Sequence, residues 1–192
     1  MPKRNQSVYV ALLRGVNMGG KNKLPMKDLA EIFAKAGCDR VKTYIQSGNV
    51  VFSAPESLCR SLPESVAKEI RRRFGHSPAM TLRSLQQMLD IVRHNPYIQP
   101  GMDEKRIAVL FLADTPTEKL IASLDAERSP GDDFTVRGSE IYLHVGKNGF
   151  AKTKLTNAYF DSRLKTMSTG RNWRTTCTLL DMMEALEHGR ES

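Results

Sequence analysis

Residues 41–52 read VKTYIQSGNVVF. Two short runs rich in β-branched and aromatic residues, 41–45 and 50–52, flank Ser47-Gly48-Asn49. Glycine and asparagine tolerate the positive φ of a tight turn, so the stretch predicts a β-hairpin. This hairpin decides the fold because of what stands on either side of it. Upstream, residues 8–13 (VYVALL) are continuously apolar, as a central strand is. Pro25 then opens a helical pattern carried by Met26, Leu29, Ile32, Phe33 and Ala36, with Gly37 as its stop. Downstream, SLPE at 61–64 has the form of a capping box. Val66, Ile70 and Phe74 recur every four residues before Gly75, and SPAMTL at 77–82 suits a short strand. The order is strand, helix, strand, strand, helix, strand, which is the ferredoxin-like unit.

The same order recurs. Leu85, Met88, Leu89 and Val92 form a helical stripe stopped by Asn95-Pro96. Residues 107–112 (IAVLFL) repeat the buried-strand pattern, and TPTE at 115–118 repeats the capping box before Leu120, Ile121 and Leu124. Residues 134–136 and 141–145 predict a second hairpin around RGSE, with Ile141, Leu143 and Val145 alternating with Tyr142 and His144. Residues 154–164 suit a helix, TMST at 166–169 a short strand, and Trp173, Cys177, Leu180 and Met183 a final amphipathic helix. The expected fold is α+β. It comprises two ferredoxin-like (βαββαβ) halves, 1–82 and 83–192, the second carrying the C-terminal helix. The two could share one core. Their residues do not match, so the repeat is one of pattern.

Hydrophobic residues make up 40% of the 192-residue chain and charged residues 26%, which fits a soluble globular protein and excludes a disordered one. Lys and Arg number 29 against 21 Asp and Glu, a net charge of +8 that favours anionic partners, although solubility alone explains it as well. Three cysteines, Cys38, Cys59 and Cys177, offer neither a disulfide framework nor zinc-ligand spacing, and they suit a reducing cytoplasm. The first residues lack the pattern of a signal peptide, and no apolar run is long enough to span a bilayer, so no membrane partner is expected.

Residues 14–23, RGVNMGGKNK, join the first strand to the first helix with three glycines, two asparagines and three cations among ten residues. Glycines let backbone N–H groups converge on an anion, while Arg14, Lys21 and Lys23 supply charge. Neither the dinucleotide G-x-G-x-x-G nor the G-x-x-x-x-G-K-[ST] spacing is present, so triphosphate hydrolysis is poorly supported. A plain strand-to-helix turn with solvated cations is the competing account. Gln46, Ser47 and Asn49 can donate and accept hydrogen bonds, yet Ser-Gly-Asn is also ordinary turn chemistry. TGRNWRTT at 169–176 adds Arg171, a planar donor suited to phosphate or carboxylate, with Asn172 or Thr169 as a cap for the last helix. Trp173 is the sole tryptophan and a core anchor before it is a stacking platform. Lys152 and Lys154 stand beside Gly149 in GFAKTK.

Taken together, YVALLRGVNMGGKNKLPM, VKTYIQSGNVVF, HNPY, KTKLTNAYF and GRNWRTTCTLL resemble the bacterial family catalogued as domain of unknown function 1697. The resemblance runs from Val8 to about Leu186. It implies an α+β protein without an assigned activity. Arg14, Gly15, Asn17, Gly19, Gly20, Lys21 and Asn22 fall on its R-G-x-N-x-G-G-x-N motif, residues 44–49 on Y-I-Q-S-G-N, and residues 171–173 on R-N-W. The chain departs from the family at GKNGFAKTKL, where an aspartate-glycine stretch and S-K-L are usual. Thr153 stands in place of that serine.

General bases are sparse. His76, His94, His144 and His188 are scattered, no G-x-S-x-G elbow occurs, and Asp132-Asp133 follows a Pro-Gly turn. No metal and no cofactor are expected. The expected function is a binding module for an anionic ligand, either nucleic acid or a phosphorylated small molecule. The residues expected to hold it are Arg14, Asn17, Gly19, Gly20, Lys21, Asn22, Gln46, Ser47, Asn49, Lys152, Lys154, Arg171 and Asn172. An enzyme acting on a nucleotide-like or phosphorylated substrate by charge stabilisation is the second reading. A structural or interaction protein is the third.

Overall fold

The computed structural model describes residues 6–189. The chain divides into two compact units. One takes in the chain up to Leu89 together with the part from Thr178 on, and the other runs from Asp90 to Cys177.

In the first unit β1 (Ser7–Leu13), α1 (Met26–Lys35), β2 (Asp39–Tyr44), β3 (Asn49–Ala54), α2 (Glu56–Cys59), α3 (Leu62–Phe74) and β4 (Met80–Ser84) follow one another. The sheet order is β2-β3-β1-β4, antiparallel throughout, which is the ferredoxin-like arrangement. The apolar run takes the central place, paired with β3 and β4, and it is buried on both faces. Ala11 and Leu13 face α1 and α3, packing with Leu29, Ile32, Phe33, Val66 and Ile70. Phe33 and Phe52 meet with ring centroids 5.3 Å apart. Each such side chain stabilises the fold by about 1.5–3 kcal/mol. Val10, Leu12 and Val51, on the other face, are also fully buried.

In the second unit β5 (Ile107–Leu112), α5 (Glu118–Ala122), β6 (Asp133–Arg137), β7 (Glu140–His144), α6 (Asn157–Leu164) and β8 (Ser168–Asn172) repeat the plan in the order β6-β7-β5-β8. Leu110, Leu112, Ile141 and Leu143 pack with Leu155, Phe160 and Leu164. The helices α4 (Leu85–Arg93) and α7 (Trp173–Glu187) leave directly from β4 and β8.

Several local expectations are corrected. Ser61 does not cap α3. The chain enters from α2 with Ser61 already in the right-handed helical region (φ −100°, ψ −12°), and its hydroxyl donates to the Leu58 carbonyl instead. The cap of α5 is Thr117, not Thr115: Thr117 is extended just before the helix, and its hydroxyl oxygen accepts from the Leu120 N–H. Likewise Thr156 caps α6, so that helix starts at Asn157 rather than at residue 154. Tyr142 is not on a half-exposed face: it is 3% exposed, and burial pushes its phenol up to about 12. The last strand runs on to Asn172, which places Arg171 inside the sheet.

Candidate functional site

The site is built where β1 ends. The Leu13 N–H donates to the Gly48 carbonyl, and the Arg14 N–H to the Ala79 carbonyl, both at 2.8 Å. The chain then enters the loop 14–25, which its two asparagines clasp. Asn17 sits at a φ of 55° and Asn22 at 51°, a region asparagine tolerates better than most residues. The Asn17 Oδ1 accepts from the Leu24 N–H at 2.8 Å, and its Nδ2 donates to the Leu24 and Gln46 carbonyls at 2.9 Å. Asn22 Nδ2 donates to the Gly15 carbonyl at 2.9 Å. A tight turn closes the tip, with the Lys21 N–H on the Met18 carbonyl at 2.9 Å. The asparagine amides thus hold the loop's shape. Met18, Gly19, Gly20, Lys21 and Lys23 are left exposed. Gly19 and Gly20 have φ of 56° and 76°, and a Cβ on either would meet nothing, so backbone conformation rather than space requires glycine there.

The hairpin 45–48 lies alongside, through the bond from Asn17 to the Gln46 carbonyl. The motif loops of the first half therefore form one cluster. Gly48 is wedged beneath it, since a Cβ there would stand 2.6 Å from Val16 Cγ2 and 2.8 Å from Leu13 Cβ. Asn49 belongs to β3 rather than to the turn. It is fully buried, and its Nδ2 donates to the Tyr44 carbonyl (3.1 Å) and the Ser47 hydroxyl (2.8 Å). Gln46 is exposed and Ser47 half-buried.

A cavity of about 250 Å³ opens beside the loop, lined by Arg14, Gly15, Asn22, His76 and residues 77–79. His76 Nε2 lies 3.3 Å from the Lys23 carbonyl. Sequence reasoning passed over His76 because nothing local marks it. It follows the left-handed Gly75 that ends α3, and only the tertiary fold carries it to the loop.

The other four candidates belong to the second unit. Lys152 and Lys154 are exposed on the segment after β7. That segment is anchored by Asp132, which accepts from the Ser129 hydroxyl (2.6 Å) and the Gly146 N–H (2.7 Å), while Ser129 accepts from the Lys154 N–H (3.0 Å). Arg171 is 8% exposed, and burial lowers its guanidinium to about 10, so it is still protonated at neutral pH. It donates to the Thr169 hydroxyl (2.9 Å) and the Gly170 carbonyl (2.8 Å). Asn172 Oδ1 accepts from the Thr175 N–H at 2.8 Å and caps α7. Arg171 and Asn172 line a cavity of about 300 Å³ with Thr153, Asn157, Leu110 and Phe150; Lys152 and Lys154 are not among its walls.

Among the described residues no group of three or more His, Cys, Asp or Glu side chains could hold a metal ion. Cys38, Cys59 and Cys177 form no disulfide, and burial pushes the Cys38 thiol up to about 12, which disfavours its thiolate. Among those residues no helix is long and apolar enough to cross a membrane.

Fold and loops together define an α+β protein of two ferredoxin-like units, the first bearing a glycine- and lysine-rich loop clasped by asparagine. Residues 7–142 match the model of the family described as Protein of unknown function (DUF1697), and the chain belongs to that family. No curated protein matches the chain. Among solved structures it is similar to the conserved bacterial protein SP0830 from Streptococcus pneumoniae, at 22% identity and a TM-score of 0.69, over 93% of this chain and 99% of that one. At that identity the likeness is one of fold.

Proposed function

We propose that the protein binds a phosphorylated small molecule at the loop 14–25. One observation carries this reading. Both units make the same strand-to-helix connection from the same anchor. Leu112 donates to Ser139 and Ala113 to Met167 at 2.8 Å, as Leu13 and Arg14 do to Gly48 and Ala79. The second unit then crosses to its helix in the five residues 113–117, whereas the first uses the twelve residues 14–25. The extra chain is not needed for topology. It carries two asparagine clasps and ends in exposed glycines and lysines, which suit a phosphate.

A small ligand is favoured over nucleic acid by the adjoining cavity of about 250 Å³ and by the absence of exposed aromatic rings on these loops. Three cysteines outside any disulfide accord with a cytoplasmic protein. His76, in the same cavity as Arg14, favours a second reading in which the bound phosphate ester is also turned over, with the imidazole as proton carrier.

Calorimetric titration with inorganic pyrophosphate tests the binding. Lys21→Ala and Lys23→Ala should each weaken it by about 1–3 kcal/mol while leaving the melting temperature unchanged. An unaltered affinity in both variants would refute the loop as the site. Fluorescence anisotropy with labelled oligonucleotides tests the alternative ligand. Nucleic acid held by these cations would dissociate steeply with salt, by about 0.7–0.9 in log K per log unit for each phosphate contact.

A further inference from the structure

We infer that the ligand of this loop cluster carries a flat aromatic ring as well as its phosphate, as a nucleoside diphosphate does. The inference rests on the anion-binding reading above and narrows its ligand class.

The observation is a pair of side chains next to the bond that ties the two loops together. Met18 follows Asn17, and Ile45 precedes Gln46, whose carbonyl accepts from Asn17 Nδ2. Met18 is 68% exposed and Ile45 52%, the two highest values among the exposed large hydrophobic residues. Both project from loops that are longer than their counterparts. The first hairpin turns in the four residues 45–48, whereas the second turns in the two residues 138–139.

Ile45 is out of place twice. Its φ is 47°, in the left-handed region where a β-branched residue is a genuine outlier. Glycine, asparagine or aspartate would satisfy that turn without strain. The second hairpin does this, with Gly138 at a φ of 58°. The isoleucine side chain is also half in water and gains little from burial. A residue that is strained and exposed stabilises nothing locally, and such residues concentrate at ligand sites. Methionine beside it supplies a polarisable thioether, which packs well on the edge or face of an aromatic ring.

The partner chemistry follows from what surrounds the pair. Lys21 and Lys23 stand on the same loop as Met18, so the apolar contact and the anion contact belong to one small region. Two isolated side chains make a far smaller surface than the contiguous patches that mark protein partners or bilayers. They suffice to cover one ring. A phosphate ester of a ring-bearing nucleoside satisfies both requirements in one molecule.

The test compares inorganic pyrophosphate with the four common ribonucleoside diphosphates by calorimetric titration, using the wild-type chain, Met18→Ser and Ile45→Asn. At least one nucleoside diphosphate should bind more tightly than pyrophosphate. Each variant should lose about tenfold or more of that advantage while its pyrophosphate affinity stays unchanged. Ile45→Asn should also melt about 2–4 °C higher, because asparagine relieves the strained φ. The inference is overturned if pyrophosphate binds in a Lys21-dependent way but no nucleoside diphosphate binds better. It is equally overturned if the advantage survives both variants. Binding to anionic phospholipid vesicles without any nucleotide preference would assign the apolar tips to a bilayer and overturn it too. If neither pyrophosphate nor any nucleotide binds, the anion-binding reading itself fails, which is a different result.

Discussion

Arg83 and Arg171 occupy the same place in their two sheets. Each lies on the last strand of its half, opposite a valine of the central strand: Val10 for Arg83 and Val109 for Arg171. Each is buried, and each donates from Nη1 to the carbonyl of the residue before it at 2.8 Å. Each follows a buried threonine by two positions, Thr81 and Thr169. The next residue is a polar one that caps the following helix: Ser84 Oγ accepts from the Gln87 N–H, and Asn172 Oδ1 from the Thr175 N–H. The two halves therefore share a T-x-R-[S/N] imprint as well as a topology.

The threonines distinguish the halves and give a paired prediction. Thr169 Oγ1 accepts from Arg171, whereas Thr81 Oγ1 is buried without a hydrogen-bond partner. Thr169→Val should lower stability by about 1–2 kcal/mol, because a buried guanidinium loses an acceptor. Thr81→Val should be neutral or stabilising by up to about 1 kcal/mol, because it removes an unsatisfied hydroxyl. Urea melts of the two variants decide this, and equal losses would contradict it.

Glycine substitutions should separate space from conformation. Gly48→Ala adds a methyl 2.6 Å from Val16 Cγ2 at a φ of 74°, so strain and overpacking combine. A loss of about 2–4 kcal/mol is expected. Gly20→Ala meets no neighbour at a φ of 76° and should cost only about 1–2 kcal/mol. Thermal unfolding should rank Gly48→Ala well below Gly20→Ala.

Acidification should destabilise the protein through two carboxylates. Side-chain hydrogen bonds from Arg72 and then Arg73 hold Glu69 at about 2, against an ordinary 4.5. Burial raises Asp132, but hydrogen bonds from Ser129, Thr153 and the Gly146 N–H outweigh it and hold that group below its ordinary value. With depressed folded values, the unfolded chain binds more protons on the acid side. The stabilisation is thus complete above the unfolded values and is lost as pH falls towards the folded ones. The urea midpoint should drop as pH falls from about 5 to about 2. Glu69→Gln and Asp132→Asn should each flatten that curve, and unchanged slopes in both variants would refute the assignment.

Trp173 is 4% exposed at the start of α7, and it is the sole tryptophan. Its emission should be blue-shifted, and iodide should quench it far more slowly than free tryptophan. Quenching at the free rate would contradict the burial.

The sequence by itself determined the elements whose signals are local. The apolar runs 8–13 and 107–112 read as central strands, and the flanking helical stripes and turn glycines gave the ferredoxin-like order twice. It also marked the two loops of the first half as unusual. Tertiary structure decided what their residues do. Asn17 and Asn49 read as ligand donors because an amide's partners are invisible in sequence; folded, they bond the Leu24, Gln46 and Tyr44 carbonyls. His76 joined the loop only through the packing of α3, and Ile45 showed its strain only once the hairpin register fixed its φ. Caps shifted from Thr115 to Thr117, and away from Ser61, because capping depends on the backbone conformation entering the helix. Periodicity is written in neighbouring residues, whereas the partner of a polar group is set by chain segments distant in sequence.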